Sequence, residues 1–234
     1  MMGRSHAAMG LAAGAGIGLA VYGSNSSTWL IPAVAMCGAA LLPDIDEPGS
    51  SVSREFGVVS QGFSHLVNKI AGGHRKLTHS LLGLAIVMVL LALSAAGREG
   101  SAILFGLLAA GAWRIVIPWW FGLRHLFPLA GAGGAWYFYH SHPFGGLWLV
   151  ALVGAGWAVH MLGDYLTKGG IPLLYPRNRM VSLPVFGATG SGLETAFAVL
   201  LYLAAALWAG LWFSHYSQLV PISRILPIRI TRWW

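Results

Sequence analysis

Long apolar stretches separated by short polar ones run almost from end to end of the chain, at residues 7–23, 28–43, 80–96, 101–121, 144–163 and 195–213. A membrane-spanning helix needs about 17 to 25 predominantly apolar residues, so most of these runs predict spans, and the first two are marginal by length. Gly10, Gly14 and Gly18 recur at every fourth position of the first run. In water that pattern weakens a helix; in lipid it predicts one that packs closely on a neighbour. The expected fold is all-α, a polytopic membrane bundle of about seven transmembrane or membrane-embedded helices.

Composition agrees. Of 234 residues, 56% are hydrophobic and 9% charged, where a soluble domain carries roughly 25% charged, and mean hydropathy is +0.68. The N-terminal stretch MMGRSHAAMGLAAGAGIGLAVYG has the positive start and apolar run of a signal peptide. A retained first helix is the expectation, because His6 fits the site argued below. Cys37, the single cysteine, excludes an intrachain disulfide and reads as a packed thiol. The net charge of +7 does not imply nucleic acid, because the cations are scattered between apolar runs. Retention of loops on the cytoplasmic side, near anionic lipid, explains them more simply.

Charge beside apolar segments is costly, which makes the seven acids informative. Glu47 and Glu55 fall in a long polar loop and Glu99 beside Arg98 in a short turn, so these three are expected to be solvated. The other four sit where apolar runs end or begin. Asp44 and Asp46, in LLPDIDEPGS, are bracketed by Pro43 and Pro48, which predicts an extended or turned segment. Residues two apart in an extended chain face one side, so both carboxylates can converge on a cation, although a hydrated Asp turn would look the same. His160 and Asp164, in HMLGDYLTKGG, share a helical face at a spacing of four, which suits Zn²⁺ or a helix-end hydrogen bond equally. Glu194 follows GATGSG, which lacks the Lys-Ser or Lys-Thr of a Walker loop, and could also be a helix N-terminal acid.

The stretch HRKLTHSLLG puts His74, Arg75, Lys76 and His79 ahead of the third long run, and His6 begins the first. Singly these are interfacial anchors. Jointly they form one site only if all reach the same membrane face, which requires an even number of crossings between His79 and Asp164. The obvious runs provide three, so a fourth is predicted in LFPLAGAGGAWYFYHSH, residues 126–142. On that topology Arg4, Arg54, Lys69, Arg75, Lys76, Arg124, Lys168, Arg177 and Arg179 lie on the site face. Arg98, Arg224, Arg229 and Arg232 lie on the other, and Arg114 falls within a helix. Nine cations against four puts the site on the cytoplasmic side of the membrane. The basic, Trp-ended tail 215–234 is expected to lie along the interface, outside a membrane-embedded domain 1–214. Trp119, Trp120, Trp136 and Tyr137 read as interfacial belt or core.

LLPDIDEPGS, HRKLTHSLL, HMLGDYLTKGGIPLLYP and RMVSLPVFGATGSGLE resemble the YdjM-type family of inner-membrane, metal-dependent hydrolases. The resemblance covers residues 1–83 and 157–213, with about 97–142 reading as an inserted helix pair. It implies a metal site at His6, Asp44, Asp46, His74, His79, His160, Asp164 and Glu194. The order of these residues is similar, more distantly, to the zinc-dependent phospholipase C and P1 nuclease group. Gly190 stands where that group carries a histidine, so one or two divalent ions are expected, Zn²⁺ first and Mn²⁺ or Mg²⁺ as alternatives.

A phosphoesterase follows as the expected activity, acting on a membrane lipid or lipid-linked phosphoester because the site lies at helix ends. Asp46 is then a further ligand or the base that orients water. Arg75, Lys76, Arg177 and Arg179 either hold a phosphate or serve only as cytoplasmic-side cations. Five-residue spacing allows one of His74 and His79 to stand behind the ligands. No GxSxG or HExxH motif is present. The rival classes are a non-catalytic metal-binding or transport protein, where a transporter would place its polar groups near the midplane, and a protein that recruits a partner through residues 44–76. Oligomeric state has no signature in the sequence.

Overall fold

The computed structural model describes residues 1–23, 27–94, 97–117, 121–142 and 146–219. The tail beyond 219, with Arg224, Arg229 and Arg232, and the pair Trp119 and Trp120 lie outside the described residues. Eight helices are formed among the described residues: α1 (Gly3–Tyr22), α2 (Leu30–Ala39), α3 (Val58–Ala71), α4 (Leu81–Ser94), α5 (Arg98–Val116), α6 (Phe127–Ser141), α7 (Leu147–Tyr165) and α8 (Gly192–Leu219). Seven coincide with the predicted apolar segments, including α6 as the added fourth element between His79 and Asp164. By length and composition, α1, α5, α7 and α8 are able to cross a membrane, and α4 is a shorter apolar helix.

The glycine spacing of α1 acts as expected. A Cβ on Gly10, Gly14 or Gly18 would collide with the backbone carbonyl of Met36, Pro32 or Trp29, so these glycines let α1 lie directly on α2 and its lead-in turn. α5 and α6 form a second close hairpin, with Gly131 and Gly134 against Gly106 and Ala109. The main core joins α2, α5, α6 and α7 through Ile31, Met36, Phe105, Leu108, Phe138, Leu149 and Val153. α7 is apolar on nearly every face and sits inside the bundle, while α8 packs on α1 and leaves Leu200, Leu203, Leu207 and Leu211 exposed, as a lipid-facing helix does. Cys37 is fully buried.

Three local expectations change. The loop 47–76 is not wholly irregular, since it contains α3. Asp44 and Asp46 lie in a 3-10 turn, Leu42–Asp46, started by Pro43 near its first position, and not in extended chain. With about three residues per turn, side chains two apart then point in different directions. Glu55 is buried, not solvated: its loop folds onto α5, where Arg114 Nη1 donates to its carbonyl at 3.0 Å. Arg114, left unassigned within a helix, is thereby accounted for.

Candidate metal centre

Five elements deliver the site. His6 comes from the first turn of α1, Asp44 and Asp46 from the 3-10 turn after α2, His74 and Arg75 from the turn after α3, His79 from a 3-10 turn before α4, and His160 and Asp164 from the end of α7. Glycines make the approach possible. A Cβ on Gly163 would press on the His6 ring, one on Gly169 would collide with the Arg75 guanidinium, and one on Gly83 would meet the Leu77 carbonyl. Arg75 itself adopts a left-handed backbone (φ 57°), uncommon for a residue with a side chain. Its two ends hold it there: the backbone N–H donates to Asp46 Oδ2 at 3.3 Å and Nη2 donates to Asp164 Oδ1 at 2.9 Å.

The ring nitrogens of His79 and His160 define the centre. His160 Nδ1 lies 2.8 Å from the Ala40 carbonyl, which can only accept, so Nδ1 carries the proton. Thr78 Oγ1 donates to Asp46 Oδ2 and so accepts from His79 Nδ1 at 2.9 Å, with Asp46 Oδ2 at 3.4 Å from the same nitrogen. With both rings neutral each Nε2 would be a lone pair, and the two Nε2 atoms face each other at 3.1 Å. Such a pair repels unless a proton or a cation lies between them. Carboxylates surround the same spot: Asp44 Oδ1 is 3.5 Å from His79 Nε2 and 3.6 Å from His160 Nε2, and Asp164 Oδ2 is 3.5 and 3.8 Å from them. His6 stacks on His160 at 3.6 Å, with Nε2 3.4 Å from Asp164 Oδ1. Both His6 nitrogens and Asp164 Oδ2 are buried without a formed hydrogen bond.

Electrostatics repeats the point. Burial lowers the basicity of His79, yet the hydrogen bonds and charges of Asp44 and Asp46 outweigh it and push the imidazole up to about 9. Burial raises Asp44, but His160, His79 and His6 more than offset this and hold it well below the ordinary carboxylate range. Asp46 is likewise pulled against its burial to about 2, chiefly by His74 and His79.

Two neighbouring groups have ligand atoms close enough to share an ion: His6, His160 and Asp164, and Asp44, Asp46, His74 and His79. The donors, imidazole nitrogens and carboxylate oxygens in a buried cage, suit Zn²⁺ and related ions. Of the eight ligand candidates, the structure brings seven into these groups. Glu194, the eighth, is buried but accepts from the Met2 N–H at 2.7 Å and the Gly190 N–H at 2.8 Å, tying α8 to the N-terminal segment. The Met1 amine in turn pairs with Asp164. Lys76 Nζ reaches Asn178 Oδ1 at 3.3 Å, and Arg177 and Arg179 are exposed on the segment between α7 and α8.

Sequence reasoning passed over the supports. Thr78 lies inside the HRKLTHSLLG stretch; Asn68 Nδ2 donates to the Asp46 carbonyl at 2.6 Å; the Trp157 indole N–H donates to the Thr78 carbonyl at 2.9 Å. Only Thr78 carried a signal, its position between two candidate ligands.

A family model described as YdjM inner membrane protein matches residues 1–222. No curated protein and no solved structure matches the chain.

Proposed function

The chain belongs to the YdjM inner membrane protein family, the match spanning nearly its whole length, and from that premise we propose that it is a metal-dependent phosphoesterase working at the membrane surface. The observation that carries this reading is the pair of opposed Nε2 atoms, 3.1 Å apart and ringed by Asp44 and Asp164. His79, His160, Asp44 and Asp164 hold the ion, with His6 completing the set. When bound, an ion of this kind lowers the pKa of a coordinated water to about 7 and polarises a phosphoryl oxygen.

The other residues divide the remaining work. Asp46 already accepts from the Arg75 N–H and the Thr78 hydroxyl and pairs with His74 Nδ1 at 2.8 Å, so it positions imidazoles and is not the base. His74 is about one-third exposed, and paired with Asp46 it would give a proton to the departing alkoxide oxygen. Arg75 binds phosphoryl oxygens through its planar fork while Asp164 orients it. Lys76, Arg177 and Arg179 attract the anionic head group. The opposed histidines sit at helix ends and not at breaks inside spans, which favours surface hydrolysis over transport.

The test is metal content per chain in tag-free protein, wild type against Asp164→Ala, with turnover of bis-p-nitrophenyl phosphate and of phosphatidic acid in mixed micelles. One or two zinc or manganese ions per chain, lost with turnover in the variant, is the expected result. Metal bound tightly without turnover of any phosphoester would make the site a non-catalytic one. Absence of bound metal in metal-replete protein would refute the centre itself.

A further inference from the structure

Helix α3 is inside out. Ser60, Ser64 and Asn68, at spacings of four, face the protein: Ser64 donates to Ser53, Asn68 donates to the Asp46 carbonyl, and Ser64 is 0% exposed. The opposite face carries Val59, Phe63, Leu66 and Ile70, with Phe63 57% and Ile70 69% exposed. An amphipathic helix in water turns these faces the other way; this orientation suits a helix lying at the boundary of a bilayer.

The apolar side of α3 does not close against the bundle. Between Phe63 and Val67 of α3, Val87 and Leu90 of α4 and Leu107 of α5 runs a groove of about 620 Å³, within the range of sites that enclose a small molecule. Its walls are almost entirely hydrocarbon. Its polar side chains are Ser60, Thr78 and Glu55, and of these Glu55 has a buried Oε1 with no hydrogen-bond partner. At its inner end the groove is walled by Ile45, which lies between Asp44 and Asp46, and by Thr78, whose hydroxyl holds Asp46. The backs of the ligand-bearing turns thus form the end of an apolar channel.

We propose that this groove takes the hydrocarbon chain of the lipid phosphoester whose head is processed at the metal centre. The proposal rests on the hydrolase reading for the identity of the head, but the groove's occupant is inferred from α3 and the groove walls alone. A lipid is the occupant because the apolar face of α3 and the leucines of α4 are offered to the bilayer, where chains are the surrounding medium. The unpartnered Glu55 oxygen gives the groove one fixed polar point, placed to meet a hydroxyl or amide N–H carried on such a chain.

Phosphatidic acid bearing a diazirine at the end of one acyl chain, incorporated into phosphatidylethanolamine and phosphatidylglycerol vesicles with the full-length protein, tests this directly. After irradiation, mass spectrometry should find adducts concentrated on residues 58–71 and 81–94, above those on the exposed leucines of α8, which report ordinary lipid contact. Filling the groove with Val87→Trp, or separately Val67→Trp, should cut groove adducts about ten-fold, because a pocket that loses room for even one methylene discriminates on that scale. Labelling spread evenly over α3, α4 and α8, or cross-links joining two copies through α3, would overturn the proposal. Activity separates the two readings. The groove variants should lose turnover of phosphatidic acid while keeping that of water-soluble bis-p-nitrophenyl phosphate, whereas a wild type inactive on both but labelled in the groove would sink the hydrolase reading and leave the groove standing.

Discussion

The hydroxyl of Thr78 stands between the two groups that fix His79, donating to Asp46 and accepting from the ring. Partners of metal-bound histidines set tautomer and direction, and their loss typically costs about 10- to 100-fold in affinity. Thr78→Val should therefore weaken zinc binding by about that factor in competition with a chelating dye, with helix content unchanged; wild-type affinity would remove Thr78 from the centre. Glu55 offers a different test. Burial raises its carboxyl to about 7, with Arg114 and Arg124 offsetting only part of the effect. Between the ordinary value of 4.5 and about 7 the unfolded chain has released a proton that the folded chain retains, so folding loses stability as pH rises through that window. The melting temperature of the wild type should fall relative to Glu55→Gln from about pH 5 to about pH 8 and converge with it in acid, whereas parallel curves would contradict the assignment. At this scale Asp44, His160 and Asp164 were legible because ionisable groups are rare beside apolar runs. Glu55 was not, because its partner Arg114 is far away in sequence and the loop that carries Glu55 has no apolar signature.

Elements built from small residues were easier to read than elements built from irregular turns. The Gly10, Gly14 and Gly18 series announces a close crossing, and the structure places it on α2. Gly14→Leu should force α1 away from Pro32, costing at least the roughly 1 to 3 kcal/mol of an overpacked site. Because His6 rides on the same helix, metal content should fall along with the melting temperature, and a variant that melts early yet keeps its full metal content would uncouple the crossing from the site. The 3-10 turn of Asp44 and Asp46 escaped sequence reasoning for a geometric reason. Prolines on both sides exclude a long helix but do not distinguish extended chain from a tight turn, and only the turn lets the two carboxylates address opposite nitrogens of His79. α3 was missed because a search for apolar runs long enough to span skips a helix with polar residues on every turn.

For the molecule as a whole, the decisive constraint was parity. His79 and Asp164 can meet only if the chain between them crosses an even number of times, and of the four helices between them, α4 to α7, only α5 and α7 are long and apolar enough to cross, so two crossings satisfy the rule as well as four; the two side chains lie 3.5 Å apart. An even number of crossings would put His79 and Asp164 on one face without saying which face is cytoplasmic, since a bundle turned upside down satisfies it equally. Only the excess of Lys and Arg on the site face breaks that symmetry, and three of the opposing arginines lie in the tail beyond 219. A Cys37→Ala background carrying Gly49→Cys on the site face or Glu99→Cys at the start of α5 decides between the orientations. With a membrane-impermeant maleimide on intact spheroplasts, Glu99→Cys should label at once and Gly49→Cys only after lysis. The reverse pattern would place the centre outside the cytoplasmic membrane, where its phosphoester would have to come from the outer leaflet, and the cation count would then have to be explained by contact with anionic head groups on that side.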